Sequence, residues 1–106
     1  VKRQPRAGES ARERGRDKGR TPDPRHKGNT LDLRGHRVEE AIGEIDGFFD
    51  RVYGGGGNRV FLIHGHGTGA LREAIRGELQ NSTYVADFRG GEADEGGDGV
   101  TVVTLL

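Results

Sequence analysis

The chain has no cysteine, methionine or tryptophan, and only four Phe and two Tyr among its 106 residues. Without thiols it can build neither a disulfide framework nor a thiolate metal site. The few aromatic residues are needed for a core, which leaves no exposed ladder on which single-stranded bases would stack. No apolar run approaches the roughly 20 residues of a membrane span, and the polar N-terminus lacks the apolar centre of a secretory signal. The reading is a cytoplasmic protein without a membrane partner. The absence of an initiating methionine leads us to expect a piece from the C-terminus of a longer protein.

Apolar residues make up 30% of the chain, below the usual globular share, so part of it is expected not to fold. A net charge of zero hides an asymmetry. Residues 1–29 carry ten Lys/Arg and four acids, a net +6, whereas residues 30–106 carry seven Arg and thirteen acids, a net −6. The first segment has almost no large apolar side chain, and cannot offset its ordering entropy by burial. It reads as a disordered basic linker or tail, either a solvated connection or an arm for nucleic-acid phosphates. The negative charge of 30–106 argues against tight duplex binding by that part alone.

What is abundant is glycine, twenty in all. The stretch Leu62-Ile-His-Gly-His-Gly-Thr-Gly-Ala-Leu-Arg72 ends an apolar run, passes through a glycine-rich turn and begins a helical pattern. Gly65, Gly67 and Gly69 let the backbone approach a ligand closely. The helix that follows presents its unpaired N–H groups and positive dipole end to the same place, a general site for anions such as phosphate. The spacing is not that of a dinucleotide fingerprint, and no Lys-Ser/Thr of a P-loop follows the four glycines at 54–57.

The rest of 30–106 supports this loop. Leu31 and Leu33 alternate with Asp32 and Arg34 as in a short strand ended by Gly35. Residues 38–52 have helical period, with Val38, Ala41, Ile42, Ile45, Phe48, Phe49 and Val52 on one face. Gly43 and Gly47 each weaken that helix by roughly 1 kcal/mol relative to Ala, a cost that close packing on a sheet would explain. Residues 59–63 read as a central apolar strand, 70–80 as a helix, 83–88 as a strand, 89–98 as a mobile exposed loop, and 99–106 as a β-branched strand. The order β-α-β-α-β-β predicts a two-layer α/β sandwich, with two helices on one face of a four-stranded mixed sheet. The βαβ steps should be parallel and right-handed, and the last strand antiparallel to its predecessor.

Leu31-Asp-Leu-Arg-Gly35 with Val38-Glu-Glu-Ala41, then Ile63-His-Gly-His-Gly-Thr-Gly-Ala-Leu-Arg72, then Gly99-Val-Thr-Val-Val-Thr-Leu105 together resemble the small MutS-related (Smr) domain. The version most similar is the one at the C-terminus of the bacterial MutS-type protein that suppresses recombination. The resemblance covers the whole of 30–106. It implies a fold like the C-terminal domain of the bacterial initiation factor that binds the small ribosomal subunit. It also implies nucleic-acid binding, with nicking endonuclease activity of low sequence specificity on structured or branched DNA, in recombination and DNA repair. An ATP-binding homodimer is implied as the parent. A non-catalytic reading runs beside it, in which the domain docks its parent on DNA, on rRNA or on stalled ribosomes.

Within that resemblance Asp32, Arg34 and His64 are the expected catalytic residues, and Gly65, His66, Gly67, Thr68, Gly69 and Arg72 the expected phosphate contacts. The RNA-cleaving eukaryotic branch has histidine at the place of Arg34, and an arginine cannot act as a general base. His64 has a pKa range suited to proton transfer and sits where ligands meet open α/β sheets; alternatively it only hydrogen-bonds the loop backbone. Asp32 either orients a neighbour or water, or forms a salt bridge with Arg34 or caps a turn. Arg34 and Arg72 either grip phosphate bidentately or are solvated. His36 is read simply as a residue leading into the first helix. The sequence offers no close acid cluster and no His pair one turn apart, so no metal site is assigned. A single magnesium or manganese ion bridged to phosphate is the one cofactor left open.

Overall fold

The alternation around Leu31 produces a strand, β1, of only three residues (Thr30–Asp32), because the chain must turn at once through Gly35, where φ is +82°. The computed structural model describes residues 22–106. Beyond β1 come α1 (Val38–Gly54), β2 (Arg59–Ile63), α2 (Ala70–Leu79), β3 (Val85–Gly90) and β4 (Val100–Leu105). A 3-10 turn at Lys27–Asn29 precedes β1, and two more, Ala93–Glu95 and Gly97–Gly99, link β3 to β4. Two helices and one four-stranded mixed sheet result, as the element pattern predicts.

The strand order is β1-β2-β4-β3. β1 and β2 are parallel neighbours, with Asp32 opposite Ile63, and β4 is antiparallel to both β2 and β3. The second βαβ step therefore departs from the simplest expectation. β2 and β3 run in the same direction, but β4 lies between them. β4 is the most buried strand, with five of its six residues inside, and its β-branched run takes the central place. β3 goes to the edge, with a register irregularity between Val85 and Asp87, a device that protects a free edge.

α1 packs Ala41, Ile45, Phe48 and Phe49, and α2 packs Ile75 and Leu79, against Val60 and Leu62 of β2, Val85 of β3 and Val103 and Leu105 of β4. Both helices share this core, so they lie on one face of the sheet. Each fully buried Phe or Leu contributes about 1.5–3 kcal/mol of transfer free energy. Gly43 and Gly47 are not on this face. Both are exposed, and a Cβ at Gly43 would meet nothing within 4 Å, so close packing on the sheet does not account for them.

The opposite face carries Phe61, Val100 and Val102. The guanidinium groups of Arg25 and Arg59 lie 5.6 and 5.9 Å from the Phe61 ring centre. Of the basic segment 1–29, residues 1–21 lie outside the described residues. Residues 22–29 make ordered contacts: Asp23 and Asn58 exchange backbone-to-side-chain hydrogen bonds, each 2.8 Å, and Arg25 Nη1 donates to the Glu95 carbonyl at 3.0 Å. The β3–β4 connection is also pinned, by the Arg89–Glu95 ion pair (2.7 Å) and by Gly91 N–H on the Val100 carbonyl. No helix among the described residues is long and apolar enough to cross a membrane.

Candidate functional site

Parallel pairing brings the C-terminal ends of β1 and β2 side by side, and both site loops leave the sheet there. Leu33 N–H donates to the Ile63 carbonyl at 2.7 Å, so the Asp32–Arg34 turn continues the pairing as far as the glycine loop. Arg34 grips Asp32 twice, Nε to Oδ1 at 2.9 Å and Nη2 to Oδ2 at 2.7 Å, and its backbone N–H adds a third bond to Oδ1. Those bonds hold the Asp32 carboxyl at about 2, with the nearby charges of Arg34 and His36 acting in the same sense. The pair is half exposed, so it contributes little to stability, but it keeps Asp32 ionised at acidities where an unpaired carboxyl takes up a proton.

The Arg34 stem crosses Gly65, where a Cβ would lie 3.3 Å from Arg34 Cγ. Gly65, Gly67 and Gly69 all have positive φ (+81°, +38° and +89°), the left-handed region that side chains resist. The loop therefore needs glycine for its path as well as for access. Its start is fastened to the turn that leads into β4, since His64 N–H and Gly65 N–H both donate to the Gly99 carbonyl. His66 lies over Gly99, whose Cβ would be 2.9 Å from His66 Nε2. Thr68 Oγ1 accepts from Ala70 N–H at 3.3 Å, partly capping the first turn of α2.

His64 is buried, at 6% exposure. Its Nδ1 is 3.0 Å from the Gly65 carbonyl and its Nε2 2.8 Å from Thr101 Oγ1. A carbonyl only accepts, so Nδ1 carries the proton; Nε2 of the neutral ring then accepts from the Thr101 hydroxyl. That hydroxyl in turn accepts from Arg76 Nε at 2.9 Å. Burial pushes the His64 pKa below its ordinary value; Arg76 and Arg72 push the same way, against the Gly65 hydrogen bond and Asp98. The arrangement is a neutral imidazole held at both nitrogens.

An open cleft of about 720 Å³ is lined by residues 36–39 on one side and 64–72 on the other. His66, Thr68 and Arg72 border it, together with the three loop glycines. Asp32 and Arg34 stand outside that lining and reach it through the contact with Gly65. Arg72 turns towards the β3–β4 connection, with Nη1 on Asp98 Oδ2 at 2.7 Å. His36, read from the sequence only as a lead into the helix, borders the cleft and places Nε2 2.9 Å from Glu44 Oε2. Glu44 raises its pKa. Arg76, Thr101 and Asp98 were not singled out in the sequence. Arg76 had a signal, lying one helical turn after Arg72, and Thr101 lies within the Gly99–Leu105 signature; Asp98 had none, being one of several loop acids. Among the described residues no group of three or more His, Asp or Glu converges as metal ligands would.

The profile of the Smr domain matches residues 31–106. Over 75 residues the chain is 53% identical to "Endonuclease MutS2" of Anaeromyxobacter sp. (strain Fw109-5), covering 71% of this chain and 9% of that protein. It is 48% identical to the Staphylococcus aureus protein of the same name, again over 71% of this chain and 10% of the relative. The chain thus spans about a tenth of the length of these curated relatives. Among solved structures, the Smr domain of Thermus thermophilus MutS2 superposes with a TM-score of 0.72 at 44% identity, over 74% of this chain and 98% of that one. YdaL, a stand-alone small MutS-related protein from Escherichia coli, shares the fold at a TM-score of 0.71 and 23% identity, over 76% and 66% of the two chains. With sequence, fold and glycine loop in agreement, this chain belongs to the Smr domain family.

Proposed function

We propose that the cleft beside the glycine loop binds the phosphodiester backbone of nucleic acid, and that the domain nicks structured or branched DNA with low sequence specificity. The observation that carries this reading is the run of three left-handed glycines, which opens the backbone beside His66, Thr68 and Arg72 at the start of α2. The name of the relatives, Endonuclease MutS2, supports hydrolysis as the reaction. Gly65, Gly67 and Gly69 admit the phosphate; His66, Thr68 and Arg72 contact it; Arg34 neutralises charge that builds on its oxygens. Asp32, ionised and exposed, orients the attacking water. His64 serves as a positioning residue that fixes the loop, because both its nitrogens are already bonded. Asp32 is the residue that would hold a divalent cation, which would supply charge neutralisation at the phosphate. The remainder of the parent, proposed as an ATP-binding homodimer, supplies the rest of the affinity that a net-negative domain lacks.

One observation favours a second reading. Both oxygens of Asp32 and both nitrogens of His64 are occupied by protein partners, as in a module that docks its parent on DNA or ribosomal RNA without cutting. Labelled branched DNA and structured RNA, each with and without chelator, separate the two. The chain should nick DNA, Asp32→Asn should bind but not nick, and Arg72→Ala should weaken binding and reduce its salt slope by about one. Equal cleavage by the chain and Asp32→Asn overturns the active-site assignment. Binding without cleavage establishes the docking role, and the better-bound nucleic acid identifies the target.

A further inference from the structure

Arg72 and Arg76 stand one turn apart on α2 and converge on a single carboxylate. Arg72 Nη1 donates to Asp98 Oδ2 at 2.7 Å, and Arg76 Nη2 donates to Asp98 Oδ1 at 3.0 Å. Each oxygen of one acid has its own guanidinium, an arrangement equally suited to two non-bridging oxygens of a phosphate. The arginines have supports of their own. Arg76 Nε is bonded to the buried Thr101 hydroxyl, and Arg72 Nη2 donates to Glu73 Oε2 at 3.4 Å. Both arginine side chains are about three-quarters buried, at 25% and 24% exposure, whereas the Asp98 side chain is 55% exposed. Asp98 rides on the 3-10 turn Gly97–Gly99, entered through Gly96 and Gly97 at φ +110° and +63°. The cations are built in, and the anion is on the surface.

We propose that Arg72 and Arg76 form a second phosphate subsite beside the glycine loop, that Asp98 occupies it in the free protein, and that a backbone phosphate of the bound nucleic acid displaces Asp98. This rests on the nucleic-acid reading of the cleft. Arg72 borders the cleft itself, so the two subsites adjoin along α2 and suit consecutive phosphates of one strand. Asp98 keeps more than half of its side chain in water, and solvent screening weakens such a pair, so exchanging the carboxylate for a phosphate costs little. Arg76 and His64 share the Thr101 hydroxyl, which ties the subsite to the base of the loop.

The test is binding of labelled branched DNA across a salt series by the chain, Asp98→Asn, Asp98→Ala, Arg76→Gln and the Asp98→Asn/Arg76→Gln double variant. Asp94→Asn serves as the charge control, because Asp94 is exposed on the same connection. Removing the resident carboxylate should tighten binding roughly threefold to tenfold at low salt, with a steeper salt slope. Asp94→Asn should change it less than about twofold, as a distant screened charge does. The gain should vanish in the Arg76→Gln background. A gain no larger than that of Asp94→Asn, or one that survives Arg76→Gln, overturns the subsite while leaving the nucleic-acid reading in place. Failure of every form to bind overturns both.

Discussion

His64 and Thr101 carry much of the site's local order. Thr101 is fully buried and its single hydroxyl serves two partners, His64 and Arg76. Thr101→Val keeps the shape and removes that hydroxyl, leaving the buried His64 Nε2 and the part-buried Arg76 Nε short of a partner. It should cost about 1–3 kcal/mol by urea unfolding, and Thr101→Ser should recover most of the loss. His64 also gives stability a pH dependence. Its pKa is lower in the folded protein than the unfolded value near 6.5, so the unfolded chain takes up the proton first. The stability it contributes is whole above the unfolded value and is lost as pH falls through the folded one. His36 has the opposite sign: Glu44 raises its pKa, and its contribution is present below the unfolded value and lost as pH rises through the folded one. Unfolding midpoints followed from pH 8 to pH 5 should fall less steeply in His64→Gln than in the unaltered chain, and more steeply in His36→Gln.

The glycines divide by element. Those of the loop are imposed by backbone geometry, and those of α1 are not. Gly69→Ala puts a side chain at φ +89° and within 2.8 Å of Arg72 Nη2. It should destabilise the fold by about 1–2 kcal/mol and weaken nucleic-acid binding through the displaced guanidinium. Gly43→Ala, in an open helical position, should instead stabilise the protein by about 1 kcal/mol and leave binding unchanged. Thermal unfolding and anisotropy titrations of the two variants check both statements. The sequence pattern places both helices and all four strands, because periods of 3.6 and 2 are local properties. Element ends move by a residue or two where the chain is tied elsewhere. β3, expected over 83–88, begins at Val85 after a turn and runs to Gly90, with the Arg89 side chain paired to Glu95. The connection expected to be mobile is held by that pair and by the Gly99 carbonyl under the glycine loop.

For the molecule as a whole, the helices cover one face of the sheet, and residues 22–29 run against the rest of the fold on the side of Phe61. The reciprocal Asp23–Asn58 bonds fasten that segment 35 residues away in sequence. Asp23→Ala should lower stability by about 1 kcal/mol and speed amide exchange in 22–29 and β2, measured by mass spectrometry, while leaving α1 and α2 protected. Composition alone gives no sign of such contacts, since 22–29 is as poor in large apolar groups as the residues before it; they are made by polar side chains whose partners lie elsewhere in the fold. The amino-acid order was sufficient for the element types, the apolar faces, the glycine loop at 65, 67 and 69, and the family, because each is carried by local patterns along the chain. Folding in three dimensions settled the central place of β4, the engagement of both His64 nitrogens, and the meeting of Asp98 with Arg72 and Arg76. Those depend on which strand packs beside which, and hydrogen-bond partners 22 to 37 residues apart leave no periodic trace along the chain.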